Sequence, residues 1–555
     1  MKQSIPPTLP VREAFLTLVG TGFLTFPPGL TSALAAPEIG PARLIATGWD
    51  SPSPARFRAE LEAFEAWRVF DGTTLAPTRT LADGRVVDSR NAFSKDPWEW
   101  AEFTDCVRDL QAVRPKQATH NFLFLYANPG DVDWFDDEGW REVVDHWRLL
   151  ARVAKQGGLR GLLFDAEPYT PPHSQFRYSA QPRREEHSFA EYCLKARQRG
   201  REVMQAVVAE YPDMLLMTYR LFCDLLHDVD LRQPQAFLES HTYGLLPAFV
   251  DGWCDVMPPT VRIIEGDEDS YLFNSEADFN RAFTRLKLNA PALVSPENRE
   301  RFRAQLLIGH GLYLDAHVNP PSSPWYIDRQ GGTSAARLAA NAAAALAASD
   351  GYVWIYGEQG RWWPGGNPAY PLWPEKLAGA DRALRWARDP HGLAREVLQE
   401  AGPEANLLRN PSFSSTDAAN APAEWWTWQD ERSRGNFTVA EGAACLSAME
   451  NGVFGQNVGV QPGQSYAVAA RLRTEGSGSA GITIGWKTAE GKWLHALRVN
   501  LAPSPTADEH GWREVIGLVQ VPPPAGQLIF MLGVQGQWRA TDRAFFDDVR
   551  LVRIP

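Results

Sequence analysis

The segment Gly161-Leu-Leu-Phe-Asp165-Ala-Glu167-Pro168-Tyr169 indicates both the fold and the chemistry of this chain. A short apolar run that carries carboxylates at i and i+2 and then meets a proline predicts a buried strand that ends there. Side chains alternate along a strand, so Asp165 and Glu167 point to the same side. Two carboxylates this close push their pKa values apart, so that one group can donate a proton while the other stays an anion. The alternative is a solvated strand end before a turn.

Comparable apolar runs recur before and after this segment, with amphipathic stretches between them. The predicted strands are Arg43–Thr47, Trp67–Phe70, Asn121–Tyr126, Gly161–Phe164, Met214–Tyr219, Val261–Ile264, Leu306–Leu314 and Tyr352–Tyr356. Helices are predicted over Trp140–Gln156, Phe189–Glu210 and Ala335–Ala348. Alternating helices and continuously apolar strands indicate an α/β fold with a parallel sheet covered by helices. Eight such units predict a (β/α)8 barrel, or TIM barrel, over residues 37–400.

Two alternatives to this barrel stay open at the level of sequence. Ala236–Ser240 could form a further strand, which would renumber the strands after it. A doubly wound open sheet has the same alternation of strands and helices, although no Gly-rich nucleotide loop follows the first predicted strand.

The pattern changes around Leu398–Ala405, and residues 406–555 have the character of an all-β domain. Short runs with period-two alternation, such as Gly481–Trp486 and Leu528–Leu532, are separated by turn residues, and no convincing helix lies between them. A segment of this size with many short strands predicts a β-sandwich, a class that includes the jelly rolls.

The composition limits the range of functions. A chain of 555 residues is too long for one core, and 44% hydrophobic with 22% charged residues is typical of soluble globular domains. The 21 tryptophans are an enrichment that suits stacking on sugar rings, although a large core could also use them. The net charge of −12 argues against a nucleic acid as partner.

The N-terminus predicts a signal peptide over residues 1–36. Lys2 and Arg12 precede an apolar stretch, Ala14–Phe26, and small residues follow at 32–36 as in an A-x-A-type cleavage site. We therefore expect a secreted or periplasmic protein, with an uncleaved anchor as the alternative. No later segment is long and apolar enough to predict a membrane span.

The five cysteines predict neither a metal site nor a disulfide framework. They are odd in number and widely spaced, without a C-x-x-C motif, and are expected to be mostly buried apolar residues. The alternative is a single incidental disulfide that forms after export.

In a barrel of this kind, functional groups gather where the strands end, because the loops that follow form the functional face. Asp165 and Glu167 follow the fourth predicted strand, Glu265 follows the sixth and Glu358 the eighth. In glycosidic bond cleavage one acid protonates the leaving oxygen, and a second carboxylate attacks the anomeric carbon or activates water. We predict Glu167 as the general acid/base, with Asp165 or Glu358 as its catalytic partner.

Aromatic and charged residues near the same strand ends are candidates for binding sugar rings and hydroxyls. The predicted substrate-binding residues are Trp49, Tyr169, Tyr219, Arg220, Glu265, Trp325 and Trp362. Glu265 begins the run Glu-Gly-Asp-Glu-Asp269, which could also be a solvated acidic turn or a cation site. The sequence has no G-x-S-x-G elbow for an esterase, no Walker loop and no H-x-x-x-H spacing for a metal.

Over about ten residues, the segment Gly161–Tyr169 and its surroundings resemble two families of glycoside hydrolases. Gly161, Asp165 and Glu167 match part of the D-G-x-D-x-D-x-E pattern of the chitinase-like family, whose earlier acidic positions hold Arg160 and Leu163 here. Glu167-Pro168 is similar to the N-E-P acid/base motif of the large retaining barrel clan, with Ala166 in place of the Asn. Both resemblances imply a glycosidase-like barrel without assigning a family.

The C-terminal segment resembles carbohydrate-binding modules of the jelly-roll superfamily. The resemblance rests on Asn406–Phe413, on the tryptophans Trp425, Trp426 and Trp428, and on the closing run Phe546–Leu551. It implies a β-sandwich that binds glycan through aromatic residues such as Trp486, Trp493 or Trp538, or that serves as a structural appendage. It also implies a structural calcium, with Asp547 or Asp548 as a ligand.

Together these observations predict a secreted glycoside hydrolase for polysaccharide degradation, with a catalytic barrel and a carbohydrate-binding-type sandwich. The expected partner is a carbohydrate substrate, and no cofactor is expected apart from the calcium. The alternative is a non-catalytic glycan-binding or surface protein on a degenerate barrel.

Overall fold

The first part of the described chain is a nearly closed barrel of parallel strands surrounded by helices. The computed structural model describes residues 42–554, so the predicted signal peptide 1–36 lies outside the described residues. In chain order the strands are β1 (Arg43–Ala46), β2 (Gly72–Leu75), β3 (Thr78–Thr80), β4 (Val86–Asp88), β5 (Asn91–Phe93), β6 (Phe122–Pro129), β7 (Gly161–Asp165), β8 (Leu215–Thr218), β9 (Arg262–Glu265), β10 (Leu306–Ile308), β11 (His310–Tyr313) and β12 (Tyr352–Tyr356).

Hydrogen-bonded neighbours in the barrel follow the order β10–β9–β8–β7–β6–β2–β1–β12–β11. Every pairing along this path is parallel. The strands at its two ends, β10 and β11, are separated in the chain only by Gly309. One chain segment therefore pairs with β9 through its first half and with β12 through its second, so the ring is closed except for the break at Gly309. Outside this path, β5 pairs with β6, and β3 forms an antiparallel hairpin with β4.

Seven of the eight predicted strands coincide with strands of the ring, and the prediction of a strand at Trp67–Phe70 is wrong. Those residues form the turn after the first helix, where the ring of Phe70 stacks on Phe64 at 5.5 Å and meets Trp362 at 4.9 Å. Their apolar character therefore serves packing outside the ring. The open alternative, a strand at Ala236–Ser240, is also wrong because Gln235–Ser240 is a helix.

Helices alternate with the strands of the ring. They are α1 (Pro54–Glu65), α2 (Thr104–Gln111), α3 (Asp137–Gln156), α4 (Phe189–Glu210), α5 (Gln235–Ser240), α6 (Leu246–Val256), α7 (Glu276–Asn289), α8 (Arg299–Gln305), α9 (Ser334–Ala347), α10 (Trp373–Lys376), α11 (Ala380–Arg388) and α12 (Pro390–Glu400). The three predicted helices are confirmed as α3, α4 and α9. The start of α4 is fixed by a capping box, in which Ser188 accepts from the N–H of Glu191 and Glu191 accepts from that of Ser188. Within residues 42–554, none of the helices is long and apolar enough to cross a membrane.

Side chains of the ring strands alternate between two apolar clusters. Phe122 and Phe124 belong to a small cluster, whereas Leu123 and Leu125 belong to a large one that also contains helix residues. Because side chains of a strand alternate between its faces, the small cluster fills the inside of the ring. Tyrosines partly exposed at its edge, namely Tyr126, Tyr313 and Tyr356, form a layer next to the carboxyl ends of the strands.

The second part of the chain consists of two antiparallel sheets packed on a common core. Its strands are β13 (Trp426–Gln429), β14 (Asn436–Ala440), β15 (Ala443–Ser447), β16 (Asn451–Gly459), β17 (Ser465–Glu475), β18 (Ser479–Lys487), β19 (Val499–Leu501), β20 (Arg513–Gln520), β21 (Gln527–Gln535) and β22 (Arg543–Arg553). One sheet has the order β13–β16–β21–β18–β19, and the other has the order β14–β15–β22–β17–β20. Inward residues of both sheets, Trp486 among them, form one apolar cluster.

Helix α12 joins the barrel to the sheets. Ala394 and Leu398 of this helix pack on Ala467, Ile516 and Val552 in a small buried cluster. The predicted change of architecture near 398–405 falls where α12 ends, and the described residues 42–554 form one compact unit.

Candidate active site

Asp165 and Glu167 lie at the carboxyl end of β7 and share the hydroxyl of Tyr169. Asp165 Oδ1 accepts from the N–H of Glu167 at 2.9 Å. The Tyr169 hydroxyl lies 2.9 Å from Asp165 Oδ2 and 2.5 Å from Glu167 Oε2. One hydroxyl carries one hydrogen, so both short contacts are hydrogen bonds only when one of the two carboxyls is protonated. Asp165 is buried, and burial followed by the charge of Glu167 raises its pKa well above the usual range, which favours the proton on Asp165.

Asn128, near the end of β6, fixes the turn that carries Glu167. Its side chain is buried; its amide donates to the carbonyl of Glu167 at 2.9 Å, and its oxygen accepts from the N–H of Tyr169 at 2.8 Å. The backbone on both sides of Pro168 is therefore held by one side chain from the neighbouring strand, which orients the Glu167 carboxylate.

Arg220 brings carboxylates from two strand ends together. It follows β8, and its guanidinium lies 3.9 Å from Glu167 and 3.4 Å from Glu268, with Asp224 at 3.7 Å. Its side chain is only 21% exposed, so its charge is shielded from water and acts strongly on these neighbours. Glu167 and Glu268 thus face one cation although they lie far apart in the sequence.

Glu268 is a site residue that the sequence did not single out. It opens the short 3-10 helix Glu268–Leu272 after β9, and its side chain is 14% exposed. Burial, followed by the charge of Glu167, raises its pKa to about 7 against the opposing effect of Arg220. A carboxyl that titrates near neutral pH next to a second carboxylate is typical of acid–base sites.

Glu265, at the end of β9, points into the protein. It is fully buried, and its carboxylate accepts the N–H groups of Leu221 at 3.0 Å, Phe222 at 2.5 Å and Asp267 at 3.2 Å. The prediction of Glu265 as a residue that contacts substrate therefore needs correction, because its oxygens are taken by backbone donors. It connects the loop of Arg220 to the loop of Glu268 and positions both.

Glu265 also predicts a loss of stability at rising pH. Burial raises its pKa from 4.5 to about 7, so the folded state binds this proton more tightly than the unfolded state. The stabilising contribution is fully present below about pH 4.5 and is lost as the pH rises through about 7. The shift corresponds to ~3 kcal/mol in the free energy of unfolding. Between pH 4.5 and 8, the free energy of unfolding measured with urea is expected to depend less on pH for Glu265→Gln than for the wild type. If the two pH curves differed only by a constant offset, the assignment of this pH dependence to Glu265 would be contradicted.

A second group of acidic side chains lies where β11 and β12 end. Asp315 is buried and accepts the N–H groups of Glu358 at 2.9 Å and Gln359 at 3.0 Å, which fixes the backbone of Glu358. Glu358 is half-buried, and burial, then the charge of Asp315, raises its pKa. Burial, followed by the charge of Glu358, raises the pKa of Tyr356, which lies in the tyrosine layer at the carboxyl ends of the strands.

Aromatic side chains line the same end of the ring. Trp49 is 63% exposed, Tyr169 55% and Trp325 48%, so these three rings are available for contact with a ligand. Tyr219 is buried beneath them and stacks on Trp354 at 4.3 Å. The placement predicted for Trp362 is wrong, because this ring is buried against Trp67 and Phe70 in the layer outside the ring.

The C-terminal sheets contain a separate groove of about 1060 Å³ on the sheet β13–β16–β21–β18–β19. Trp428 is 50% exposed in this groove, and Trp426 donates its indole N–H to Asn457 at 3.0 Å. Polar side chains suited to sugar hydroxyls line it beside these rings, among them Asn451, Thr483, His495, Arg498 and Asn500.

The three tryptophans predicted to contact glycan in the C-terminal part lie in three different environments. Trp493 lines the groove. Trp486 is buried in the core between the sheets, and Trp538 is 71% exposed but does not line the groove.

Comparison with known proteins finds no matching family model and no matching curated protein. Solved structures with local similarity include tailspike protein 4 of bacteriophage CBA120, at 16% identity over 28% of this chain and 22% of the tailspike, with a TM-score of 0.23. A CBM4 structure is 20% identical over 26% of this chain and 99% of its own, with a TM-score of 0.20. The CBM22-1–GH10 modules of xylanase 10B from Clostridium thermocellum, complexed with xylohexaose, are 12% identical over 23% of this chain and 26% of theirs, with a TM-score of 0.18.

Proposed function

We propose that this chain is a glycoside hydrolase that cleaves O-glycosidic bonds in a poly- or oligosaccharide. Glu167 and Glu268 form the catalytic pair at the carboxyl ends of a (β/α)8 barrel, and the C-terminal sheets form a jelly-roll carbohydrate-binding module. The observation that carries the proposal is that these two glutamates, from different strand ends, face the single guanidinium of Arg220.

The environments of the two glutamates support different roles. Cleavage requires a carboxylic acid and a carboxylate at the same bond. Burial and the charge of Glu167 raise the pKa of Glu268 to about 7, which supports its role as the acid. The Tyr169 hydroxyl and the Arg220 guanidinium face Glu167, which supports its role as the anion. This assignment transfers the acid role from Glu167, the residue chosen from the sequence, to Glu268.

The other residues of the cleft have supporting roles in this proposal. Asp165 is a positioning residue, since it is buried and holds both the backbone of Glu167 and the hydroxyl of Tyr169. Glu358, half-buried beside the tyrosine layer, binds a sugar hydroxyl. The exposed rings of Trp49 and Trp325 provide apolar faces for the sugar rings.

The proposal is tested by incubating the full chain with a panel of polysaccharides and measuring the release of new reducing ends. We expect release from at least one polysaccharide, together with oligosaccharide products detectable by mass spectrometry. Binding to a polysaccharide without release from any member of the panel would instead favour a non-catalytic glycan-binding protein.

The groove on the C-terminal sheets supports this second candidate function, glycan binding. A concave surface with exposed tryptophans and hydroxyl-binding side chains is suited to a sugar chain, whether or not the barrel is catalytic. We propose that it holds a polysaccharide by stacking on Trp428 and Trp493.

Replacing Trp428 with Ala is expected to weaken binding of the preferred polysaccharide by about fivefold or more, because a central aromatic contact contributes more than about 1 kcal/mol. Trp538→Ala is the matched control: it removes a more exposed tryptophan of the same domain that does not line the groove. Affinity electrophoresis measures the polysaccharide binding of both variants. Equal weakening by the two substitutions would contradict the assignment of the groove as the binding site.

Three further aspects rest on the sequence and are proposed with this function. The features of residues 1–36 support export to the periplasm or the medium. The chemistry of two carboxyl groups requires no cofactor. A structural calcium at Asp547 or Asp548 stays a prediction; the second of these carboxylates lies 3.5 Å from Arg471.

A further inference from the structure

A separate cluster of ligand-type side chains lies in the loops after β8 and β9. Cys223, Asp267 and Asp269 each bring one ligand atom, a thiol sulfur or a carboxylate oxygen, to within 4.8 Å of the other two. Cys223 and Asp267 are fully buried, whereas the side chain of Asp269 is 15% exposed. The two aspartates flank Glu268 in the sequence.

Asp267 has a buried carboxylate oxygen without a partner. Oδ2 contacts His310 Nδ1 at 2.8 Å, and the other ring nitrogen of His310 contacts the carbonyl of Ala348 at 3.1 Å. Oδ1 is buried and accepts no hydrogen bond from residues 42–554. A buried carboxylate oxygen without a donor is strongly unfavourable, so such a group calls for a ligand that would satisfy it. A cation bound at Oδ1 is such a ligand.

Asp269 is held in a similar way. Its Oδ2 contacts His227 Nε2 at 2.6 Å and lies 3.6 Å from Arg285, whereas Oδ1 has no hydrogen bond within the part of the chain that the structure describes. In both aspartates, therefore, one oxygen is oriented by an imidazole and the other is left free. Carboxylates that bind metals are usually oriented by such outer hydrogen bonds.

We propose that Cys223, Asp267 and Asp269 bind one divalent cation of the Zn²⁺ type. A thiolate sulfur selects Zn²⁺ over Ca²⁺ or Mg²⁺, which prefer ligand sets made only of oxygen. Three protein ligands leave a fourth tetrahedral position for water. The partly exposed side of Asp269 provides the entry path. Bound metal would fix the residues on both sides of Glu268, so we assign it the role of positioning this loop.

The test uses the full chain after removal of metals with a chelator. We expect Zn²⁺ to bind at one equivalent per chain, measured by elemental mass spectrometry after desalting, and to raise the melting temperature. Co²⁺ is expected to give the near-ultraviolet charge-transfer band of a cobalt–thiolate bond. Cys223→Ala should abolish this band and weaken Zn²⁺ binding by at least about 10-fold. Cys254→Ala removes another fully buried thiol and should preserve both signals.

Asp269→Asn is a second variant in case Cys223→Ala does not fold, since this side chain is partly exposed, and it should also weaken Zn²⁺ binding. Absence of stoichiometric Zn²⁺ and of any shift in melting temperature, in folded protein, would overturn the proposal. Binding of Ca²⁺ alone that survives Cys223→Ala would overturn it as well. These readouts are independent of hydrolase activity.

Discussion

Glu268→Gln is expected to lower kcat/KM on a natural polysaccharide by about 10²–10⁴-fold, the usual contribution of a positioned proton donor. The loss should be much smaller on a glycoside with an activated aryl leaving group, because that group departs without protonation. Steady-state kinetics on the two substrates measure the difference. Glu300→Gln, which changes an 86% exposed side chain outside the cleft, is the control and should leave both rates unchanged.

The same residue sets the expected pH dependence of activity. Glu268 must carry a proton to act as the acid, and burial together with the charge of Glu167 raises its pKa to about 7. In metal-free protein, activity should therefore fall as the pH rises through about 7, and Glu268→Gln should remove this limb of the profile. A variant that keeps both the limb and the full rate on the polysaccharide would show that the proton comes from elsewhere.

Glu167→Gln is expected to lower kcat/KM by a similar or larger factor, about 10²–10⁴-fold or more. In contrast to Glu268→Gln, the loss should be as large on the activated aryl glycoside, because the missing carboxylate attacks the anomeric carbon or activates water whatever the leaving group is. Binding of polysaccharide should persist through the groove on the C-terminal sheets.

Tyr169→Phe provides a comparison for this variant. It removes the hydroxyl that Asp165 and Glu167 share while keeping the Glu167 carboxylate. Its loss should be smaller than that of Glu167→Gln on both substrates. If the two variants were equally impaired, the hydroxyl rather than the carboxylate would be the essential group.

The ring strands could be predicted where they are continuously apolar, and the exception has a physical reason. Strand β2 has the sequence Gly72-Thr-Thr-Leu75, which resembles a turn more than a buried strand. A Cβ at Gly72 would lie 1.8 Å from the carbonyl oxygen of His120, so close approach of two backbones requires glycine there. The apolar run just before it, Trp67–Phe70, packs outside the ring, and its apolar character led to the prediction of a strand there.

The site was predictable at β7 but not at β9. Period-two alternation holds through Glu167, so both carboxylates of that segment could be placed. After Glu265 the chain leaves the strand, and Asp267 adopts a left-handed backbone conformation with φ 50°. Alternation ends at that point, so spacing alone could not show that Glu268 faces Arg220 while Glu265 turns inward to bond backbone N–H groups. Which of the four neighbouring carboxylates in residues 265–269 faces Arg220 depends on the three-dimensional arrangement of the loops.

The double variant Glu167→Gln/Glu268→Gln gives the most direct test of the central claim. Reducing-end release and polysaccharide binding are measured side by side on the wild type and the double variant, with a polysaccharide that the wild type degrades. The account predicts that the double variant binds this polysaccharide with unchanged affinity and releases no detectable reducing ends. Release at the wild-type rate by the double variant would contradict the account.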